Sequence, residues 1–471
     1  MDAVPLIIFW CLAVWGFFSR KPVLLYLFFT TMPFAAFAVI PPQLTGGLTF
    51  TPTPIVAVLI IVRTLANPSG VDFTIGSVLS PRRTFMLFMF WLIAVFTTAF
   101  MPRLFAGRVD VIPMRGSELG AQPLFPSTQN ISQLAYLTIS VFAVVAFSRL
   151  LSNHGMRHAV KALFLGALVT VFTGALDFAS DYLPLEPLLE PFRKATYAMI
   201  TSAEVLGVQR VVGLTPEAST FGGLCIAFLS AVYFFRFSLP PTSLYYRSAP
   251  ILMGLLVLFL WMSTSSAAYV AFGAFLLIAA LEWLWSGTMV RDGLRRRRLA
   301  AEFWVAYAGF VALTIVTLVH PSLLNPIIDT VDTMVFQKPS SESFQERSIW
   351  TAVSWKAAWE TYGLGVGMGG TRASSSLVAV ISNVGFLGAL FYYLFILQTL
   401  LVKVPAADRS GQSMIGAMRW CIWPGFITSL LAGSTADFGL FNAFLFSVPY
   451  AVSSSIYSQH VPLPATLGAR R

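Results

Sequence analysis

Long apolar runs alternate with short polar or charged segments along the whole chain. A membrane-spanning helix needs about 20 consecutive, mostly apolar residues, and runs of nearly that length recur from one end to the other. The pattern therefore predicts an all-α polytopic membrane protein with about 12–13 transmembrane helices. The predicted spans lie near residues 4–18, 22–39, 53–66, 84–100, 132–148, 159–176, 218–235, 250–262, 267–286, 302–319, 376–402, 420–432 and 437–457.

Composition supports the membrane assignment. Of the 471 residues, 57% are hydrophobic and only 11% are charged, whereas about 25% of residues are charged in soluble domains. The net charge of +10 is then explained by membrane topology, and no nucleic-acid partner is expected. Cys11, Cys225 and Cys421 fall inside apolar runs, so we expect small core residues without disulfides.

The distribution of charge predicts an orientation. The segment Ile251–Gly287 is interpreted as two short helices, because the basic residues on both sides of it belong to one membrane face. With the N-terminus outside, the inward segments hold 20 of the 30 basic residues and only five of the 20 acidic ones. The positive-inside rule thus predicts that the N-terminus lies outside and the C-terminus in the cytoplasm. The first run has an acid before it and basic residues after it, the reverse of a cleavable signal peptide, so it is expected to be a retained span.

Residues 1–471 are predicted to form a single integral membrane domain with two long outward segments. The segment 177–217 contains PLLEPFRKATYAMITSAEVLG, whose mixed spacing is typical of an interfacial helix. The segment 320–375 is the longest interval without a membrane-grade run, and LLNPIIDTVDTMVF within it predicts another short amphipathic helix. We expect this long outward loop to carry the functional site, and the family resemblance given below implies that the loop is periplasmic and catalytic.

Three arginines lie at the predicted outer ends of spans. These are Arg210, Arg347 and Arg372. A guanidinium at that depth is costly unless it is paired or near water, so the three together suggest an anion-binding site. The alternative for each is a salt bridge or a contact with lipid headgroups.

Other residues near these arginines have two interpretations. Glu217 could accept a proton from a sugar hydroxyl, or could be the first-turn acid of the next helix. In GLGVGMGG, Gly367 and its neighbours could bring backbone amides to a phosphate, or could form a hinge. Ser266 and Asp437 lie in polar patches that could bind sugar hydroxyls or cap helices.

No motif for a metal, a nucleotide or a cofactor is present in the sequence. The four histidines are scattered, and only His154 and His158 are four residues apart. The sequence has neither a phosphate-binding Walker loop nor the glycine pattern of a dinucleotide fold. We therefore expect no cofactor and no metal.

Three stretches together resemble the O-antigen ligase/polymerase superfamily of bacterial membrane glycosyltransferases. They are RVVGLTPEASTFG at 210–222, ERSIWTAVSWKAAWETYGLGVGMGG at 346–370 and RASSSLVAVISNVGFLGAL at 372–390. The resemblance implies a fold of the glycosyltransferase-C type and transfer of a glycan from undecaprenyl pyrophosphate to an acceptor sugar on the outer face. The resemblance also implies that the arginines hold the pyrophosphate. Arg210 and Arg372 match the family's arginines best, and Arg347 matches the basic residue of the second stretch.

The sequence departs from the ligases of this family at two positions. Where they have a histidine, this chain has Ser374, followed by Ser375; where many have Ser-Arg, it has Ser266 and no arginine. It therefore resembles an exopolysaccharide polymerase more closely, with Glu217 as the substitute base and these serines as substrate-binding candidates. The implied partners are the lipid-linked oligosaccharide, inner-membrane lipid, and a chain-length regulator and flippase of the same pathway. The alternatives are a ligase using another acceptor, a flippase or transporter of the same lipid, and a structural subunit of an export complex.

Overall fold

The protein is described from a computed structural model. It describes residues 3–40, 49–114, 120–195, 204–205, 208–240, 242–289, 293–319, 325, 328, 332, 342–405 and 408–460. The helices are α1 Ala3–Phe18, α2 Val23–Thr31, α3 Pro52–Leu65, α4 Pro68–Val78, α5 Phe85–Leu104, α6 Thr128–His154, α7 Met156–Ser180, α8 Glu186–Leu189, α9 Ala218–Phe235, α10 Leu244–Met262, α11 Ser266–Met289, α12 Gly293–Val319, α13 Glu342–Glu360, α14 Ser376–Leu401, α15 Arg409–Ala432 and α16 Gly439–His460. Two small antiparallel hairpins pair β1 Asp110–Val111 with β2 Gln122–Pro123, and β3 Glu204–Val205 with β4 Val208–Gln209.

The molecule is a multi-pass, mostly helical membrane protein. Within the described residues, eight helices are long and apolar enough to cross a bilayer, or nine if the bent pair of α3 and α4 forms one span. The eight are α5, α6, α7, α9, α10, α11, α14 and α15. A helix lies in each of the thirteen predicted apolar runs, but α1 and α2 have only 16 and 9 residues. The coarser prediction is thus confirmed, and the full count of 12–13 crossings stays a prediction.

A core of aromatic side chains joins the N-terminal and C-terminal helices. The ring of Phe28 lies edge-on to Phe147 at 4.7 Å between centroids, and Phe29 lies edge-on to Phe444 at 4.8 Å. All four side chains are fully buried. Helix α6 packs along α16, α2 along α7 and α5 along α14, so helices distant in sequence form one bundle. Edge-to-face aromatic packing stabilises such contacts beyond the area that they bury.

In the described part of the segment 187–207, the chain does not form the predicted interfacial helix. Helix α8 has four residues, and a single 3-10 turn, Glu190–Phe192, follows it. α8 ends at Leu189, two residues before Pro191, which has no N–H to continue an α-helix. The chain then returns as the β3–β4 hairpin, with 196–203 and 206–207 outside the described residues. The second predicted amphipathic helix, near 323–336, lies outside them too except at 325, 328 and 332.

The glycine-rich segment inserts into a break in α14. At Gly385 the helix takes a φ of 76° and a ψ of 174°, which interrupts its hydrogen bonds. The inserted backbone supplies replacements: the N–H groups of Val366 and Gly367 donate to the carbonyls of Ser382 and Asn383 at 2.8 and 2.9 Å. The N–H of Phe386 donates in turn to the Gly363 carbonyl at 2.9 Å. Buried backbone groups need such partners, so this loop and α14 form one unit.

Candidate functional site

An ion pair holds the loop that leads from Arg210 to Glu217. One carboxylate oxygen of Asp177 accepts hydrogen bonds from the backbone N–H groups of Val212 and Gly213 at 2.7 and 2.8 Å. The other accepts from the guanidinium of Arg193, which also donates to the Gly213 carbonyl at 3.1 Å. Because these contacts satisfy both carboxylate oxygens and fix two successive amides, the start of α9 has a defined position.

Arg210 binds backbone carbonyls, away from the residues that line the nearby cavity. Its Nε donates to Thr264 Oγ1 at 3.0 Å and to the Ser263 carbonyl at 3.2 Å, and Nη2 donates to the Thr264 carbonyl at 3.1 Å. Burial lowers the pKa of Arg210, and the negative charge of Glu217 opposes that effect. Arg210 therefore ties the 210–217 loop to the turn between α10 and α11.

Four of the predicted site residues line one cavity of about 630 Å³. Glu217, Arg347, Arg372 and Ser374 come together here although they lie on three separate stretches of the chain. Between them, α9, α11, α13 and α15 supply most of the remaining wall, including Ser219, Ala268, Trp350, Thr428 and Ser429. We call this space the arginine cavity.

The two arginines of the cavity have no ionic partner within the part of the chain that the structure describes. Neither the Arg347 nor the Arg372 guanidinium forms an ion pair or a side-chain hydrogen bond there. The Arg372 guanidinium lies over the ring of Trp350, 3.8 Å from its centroid. Burial lowers the pKa of Arg372, and the charge of Glu346 partly offsets this. A half-buried guanidinium that forms no ion pair favours a bound anion.

Two buried N–H groups at the same wall also lack acceptors. Arg372 Nε and Trp350 Nε1 are buried, and neither donates to an acceptor among the described atoms. Leaving a buried donor unsatisfied costs about 1–3 kcal/mol, so buried donors normally have an acceptor. The backbone of Arg372 is itself fixed, because its N–H donates to the Ile112 carbonyl at 3.0 Å and its carbonyl accepts from Ser354 at 2.8 Å. These backbone contacts fix the position of Arg372 at the wall of the cavity.

Glu217 lies both at the start of α9 and in the wall of the arginine cavity. It is the N-cap residue of α9, with extended φ and ψ of −157° and 159°. Its Oε1 accepts hydrogen bonds from the hydroxyls of Ser219 and Thr220. Among the described residues, no group donates to Oε2, so one carboxylate oxygen is free to take a proton within the arginine cavity.

An apolar groove of about 630 Å³ adjoins the arginine cavity. Arg347 and Ser374 line both spaces, and so do Ala267, Thr428 and Ala432. The rest of the groove is mostly apolar, with Val270, Phe344, Trp355 and Leu431. Ser266 lies in this groove at the start of α11. A polar, cationic space that continues into an apolar groove suits an amphipathic ligand with an anionic head.

Three predicted substrate-binding residues lie elsewhere. Gly367 is buried with its N–H bonded to Asn383, so that amide is not available to a phosphate. Ser375 is the N-cap residue of α14, next to Ser374 but outside the residues lining the arginine cavity. Asp437 lines a separate space of about 90 Å³, which shares Ser429 and Gly433 with the arginine cavity.

Sequence reasoning missed Trp350, which supplies both a stacking surface and an unpaired donor. The signal was present, because Trp350 follows Arg347 by three residues in a helical segment. Residues three apart share one face of a helix.

Within the described part of the chain, no three His, Cys, Asp or Glu side chains are grouped in a way that could hold a metal ion. The site's cationic groups are Arg347 and Arg372, and its acid is Glu217. The sequence matches no model of a known protein family and no curated protein.

Proposed function

We propose that the protein polymerises lipid-linked oligosaccharide repeat units on the outer face of a bacterial inner membrane. In this reaction a glycan is transferred from undecaprenyl pyrophosphate to an acceptor sugar during exopolysaccharide or O-antigen synthesis. One observation carries the proposal: two arginines without ionic partners share a cavity with a carboxylate, and that cavity continues into an apolar groove. A lipid pyrophosphate likewise has a charged head and a long hydrocarbon chain.

In the proposed binding mode, the polyprenyl chain lies in the apolar groove and the pyrophosphate lies at Arg347 and Arg372. Planar guanidinium groups donate paired hydrogen bonds to phosphate oxygens. The ring of Trp350, stacked against the Arg372 guanidinium, holds it in position. Charge accumulates on the leaving group as the glycosidic bond breaks, so donors that are already in place stabilise the transition state more than the ground state.

The proposed chemistry is an inverting substitution at the anomeric carbon. Glu217 removes the proton from an acceptor hydroxyl, and the resulting oxygen nucleophile attacks the anomeric carbon of the donor glycan. A new carbon–oxygen bond forms as the bond to pyrophosphate breaks, and undecaprenyl pyrophosphate leaves with the bonding electrons. The acceptor proton remains on Glu217 until solvent takes it.

Alanine variants of the two cavity arginines test the proposal. In Arg347→Ala or Arg372→Ala, we expect elongation of a lipid-linked repeat unit by purified protein to fall about 10²–10³-fold, as on loss of one preset donor. Arg108→Ala is the matched control, because Arg108 is exposed and lies outside the cavity. Elongation at the wild-type rate by both cavity variants would reject the assignment.

Glu217→Gln separates a catalytic base from a helix cap. Glutamine keeps an oxygen that can accept from Ser219 and Thr220, so the start of α9 is preserved. We expect folded protein with at least about 10²-fold slower elongation, a typical loss for a missing general base. The pH dependence of the remaining activity should also differ from that of the wild type. Equal rates and equal pH profiles would leave Glu217 with only its capping role.

A flippase of the same lipid is the second candidate. It is favoured by the break of α14 at Gly385 and by the 105° bend between α3 and α4, because transporters often use interrupted helices. Elongation by purified protein in detergent, without two compartments, would exclude transport as the only activity. Movement of the lipid between leaflets without elongation would favour the flippase.

A further inference from the structure

A second, smaller space lies at the far end of α6 from the candidate site. Its volume is about 140 Å³, and its polar walls come from Arg63, Asn67, Arg149, Asn153 and His154. We call it the basic cavity. At the other end of α6, Asn130 donates to the Met368 carbonyl at 2.9 Å, beside the glycine-rich loop. Since α6 has 27 residues, about 40 Å separates its two ends at 1.5 Å per residue.

The two arginines of the basic cavity join four parts of the chain. Arg63 donates to the Gly16 and Ser19 carbonyls, at the end of α1, at 3.1 and 2.6 Å. Arg149 donates to the carbonyl and hydroxyl of Ser69, in the first turn of α4. The cavity therefore lies at the 105° bend between α3 and α4, where α1 and α6 also meet.

These contacts leave donors unused. A guanidinium has five N–H groups, and the described contacts of Arg63 and of Arg149 use two nitrogen atoms in each. Neither arginine forms an ion pair within the described residues, and no carboxylate lines the cavity. The charge of Asp72 reaches Arg149, but Asp72 lies outside the lining.

A further cation lies near the space. The ring nitrogens of His154 face the Leu150 and Arg20 carbonyls at 3.1 and 3.0 Å. Phe73 lies between Arg149 and a further cation, Arg83, at 5.6 and 5.8 Å from its ring centroid. A space of this size with cationic walls fits a single phosphate group and excludes a nucleotide.

We propose that the basic cavity binds one phosphate group between Arg63 and Arg149, either from the headgroup of an anionic phospholipid or as free phosphate. The bound oxyanion bridges α3 to α6 and thereby fixes the bend between α3 and α4. This site is independent of the proposed glycan transfer. Because only the folded protein has the site, its occupation raises the melting temperature.

The test compares two sources of phosphate on the full-length protein in phosphatidylcholine nanodiscs. One arm adds inorganic phosphate against chloride of equal ionic strength, and the other replaces part of the lipid by phosphatidylglycerol. We expect the melting temperature to rise in at least one arm. A rise with phosphatidylglycerol alone identifies the headgroup, and a rise with inorganic phosphate identifies the free ion.

Variants assign the effect to the cavity. Asn153→Asp adds a carboxylate to the lining and alters none of the described hydrogen bonds of Arg63 and Arg149, so it should abolish the rise. Arg149→Gln should weaken the apparent affinity at least about tenfold, because a charge-assisted contact is lost. Arg82→Gln, an exposed arginine outside the cavity, should keep the full rise. No rise in the wild type, or an undiminished rise in Asn153→Asp, would overturn the proposal.

Discussion

Neighbouring groups, rather than residue type, separate the arginines that are available to a ligand from those that are not. Arg193 is neutralised by Asp177, and Arg210 donates to the carbonyls of the 263–264 turn. Arg347 and Arg372 have no such partners among the described residues. All four look alike in sequence as cations in predicted outward segments, so only their surroundings single out the last two as binding groups.

Asp437 yields a prediction about stability and pH. Burial raises its pKa above the ordinary value of 3.8, although the backbone N–H of Gly439 donates to it at 3.2 Å. Between pH 3.8 and the raised native pKa, this carboxyl group is protonated in the folded protein and ionised in the unfolded chain. The free energy of unfolding therefore decreases as the pH rises through that range. Asp437→Asn cannot ionise and keeps an oxygen for Gly439. Its stability relative to wild type should therefore increase by about 1.4 kcal/mol for each pH unit between the two pKa values.

The measurement is the melting temperature of the Asp437→Asn variant and the wild type from pH 4 to pH 7. Asp110→Asn serves as the control, because Asp110 is exposed. A difference between Asp437→Asn and wild type that does not change with pH would contradict the argument.

At the scale of elements, the glycine-rich loop and the broken α14 depend on each other. Gly365 has a φ of +85°, and a Cβ at that position would lie 2.7 Å from the Gly385 nitrogen and 2.8 Å from the Asn383 carbonyl oxygen. Backbone atoms cannot move aside as a flexible side chain can. The alternating glycines therefore allow the loop to approach α14 closely, which explains their spacing better than a phosphate cradle does.

Gly365→Ala should thus destabilise the protein by at least about 2 kcal/mol, from the left-handed φ and the backbone clash together. Gly273→Ala is the matched control, because no atom lies within 4 Å of a Cβ built at that helical position. We expect it to be neutral or stabilising by up to about 1 kcal/mol. The melting temperatures of the two purified variants test the contrast, and equal values would contradict it.

At the scale of the molecule, contacts between distant segments agree with the predicted division into two sides. Arg63 contacts Ser19, Arg236 pairs with Glu302, and Gln398 donates to Pro81, all at inward segments or the inner ends of predicted spans. The backbone of Arg372 bonds to Ile112, and that of Ala36 bonds to Leu214, at outward segments or the outer end of a predicted span. The alternation of spans is therefore consistent with the folded structure, while the direction across the bilayer stays a prediction.

Cysteine labelling tests that direction. Arg108 and Arg82 are exposed and belong to segments predicted to lie outside and inside, respectively. In a chain whose exposed Cys11 is replaced by serine, Arg108→Cys should react with a membrane-impermeant maleimide in cells with a permeabilised outer membrane. Arg82→Cys should react only after the inner membrane is dissolved. The reverse pattern would place the arginine cavity on the cytoplasmic side.

Hydropathy and charge were sufficient to predict where the helices lie and that the protein crosses the membrane repeatedly. These properties depend on the transfer of each segment from water to lipid, which is largely independent of what the segment contacts. The same patterns did not predict the end of α8 at Leu189, the extra helix Pro68–Val78 or the insertion of the glycine-rich loop into α14. Those features are set by turns and by backbone groups that need partners.

The candidate site, too, was predictable from the sequence only in part. The arginines and Glu217 could be chosen from sequence because a charge near a membrane span is costly wherever the chain later goes. Which of them meet in one cavity was decided by the packing of α9, α11, α13 and α15. That packing also left Arg347 and Arg372 unpaired while Asp177 and the 263–264 turn engaged Arg193 and Arg210, because a partner is a matter of distance in space and not along the chain.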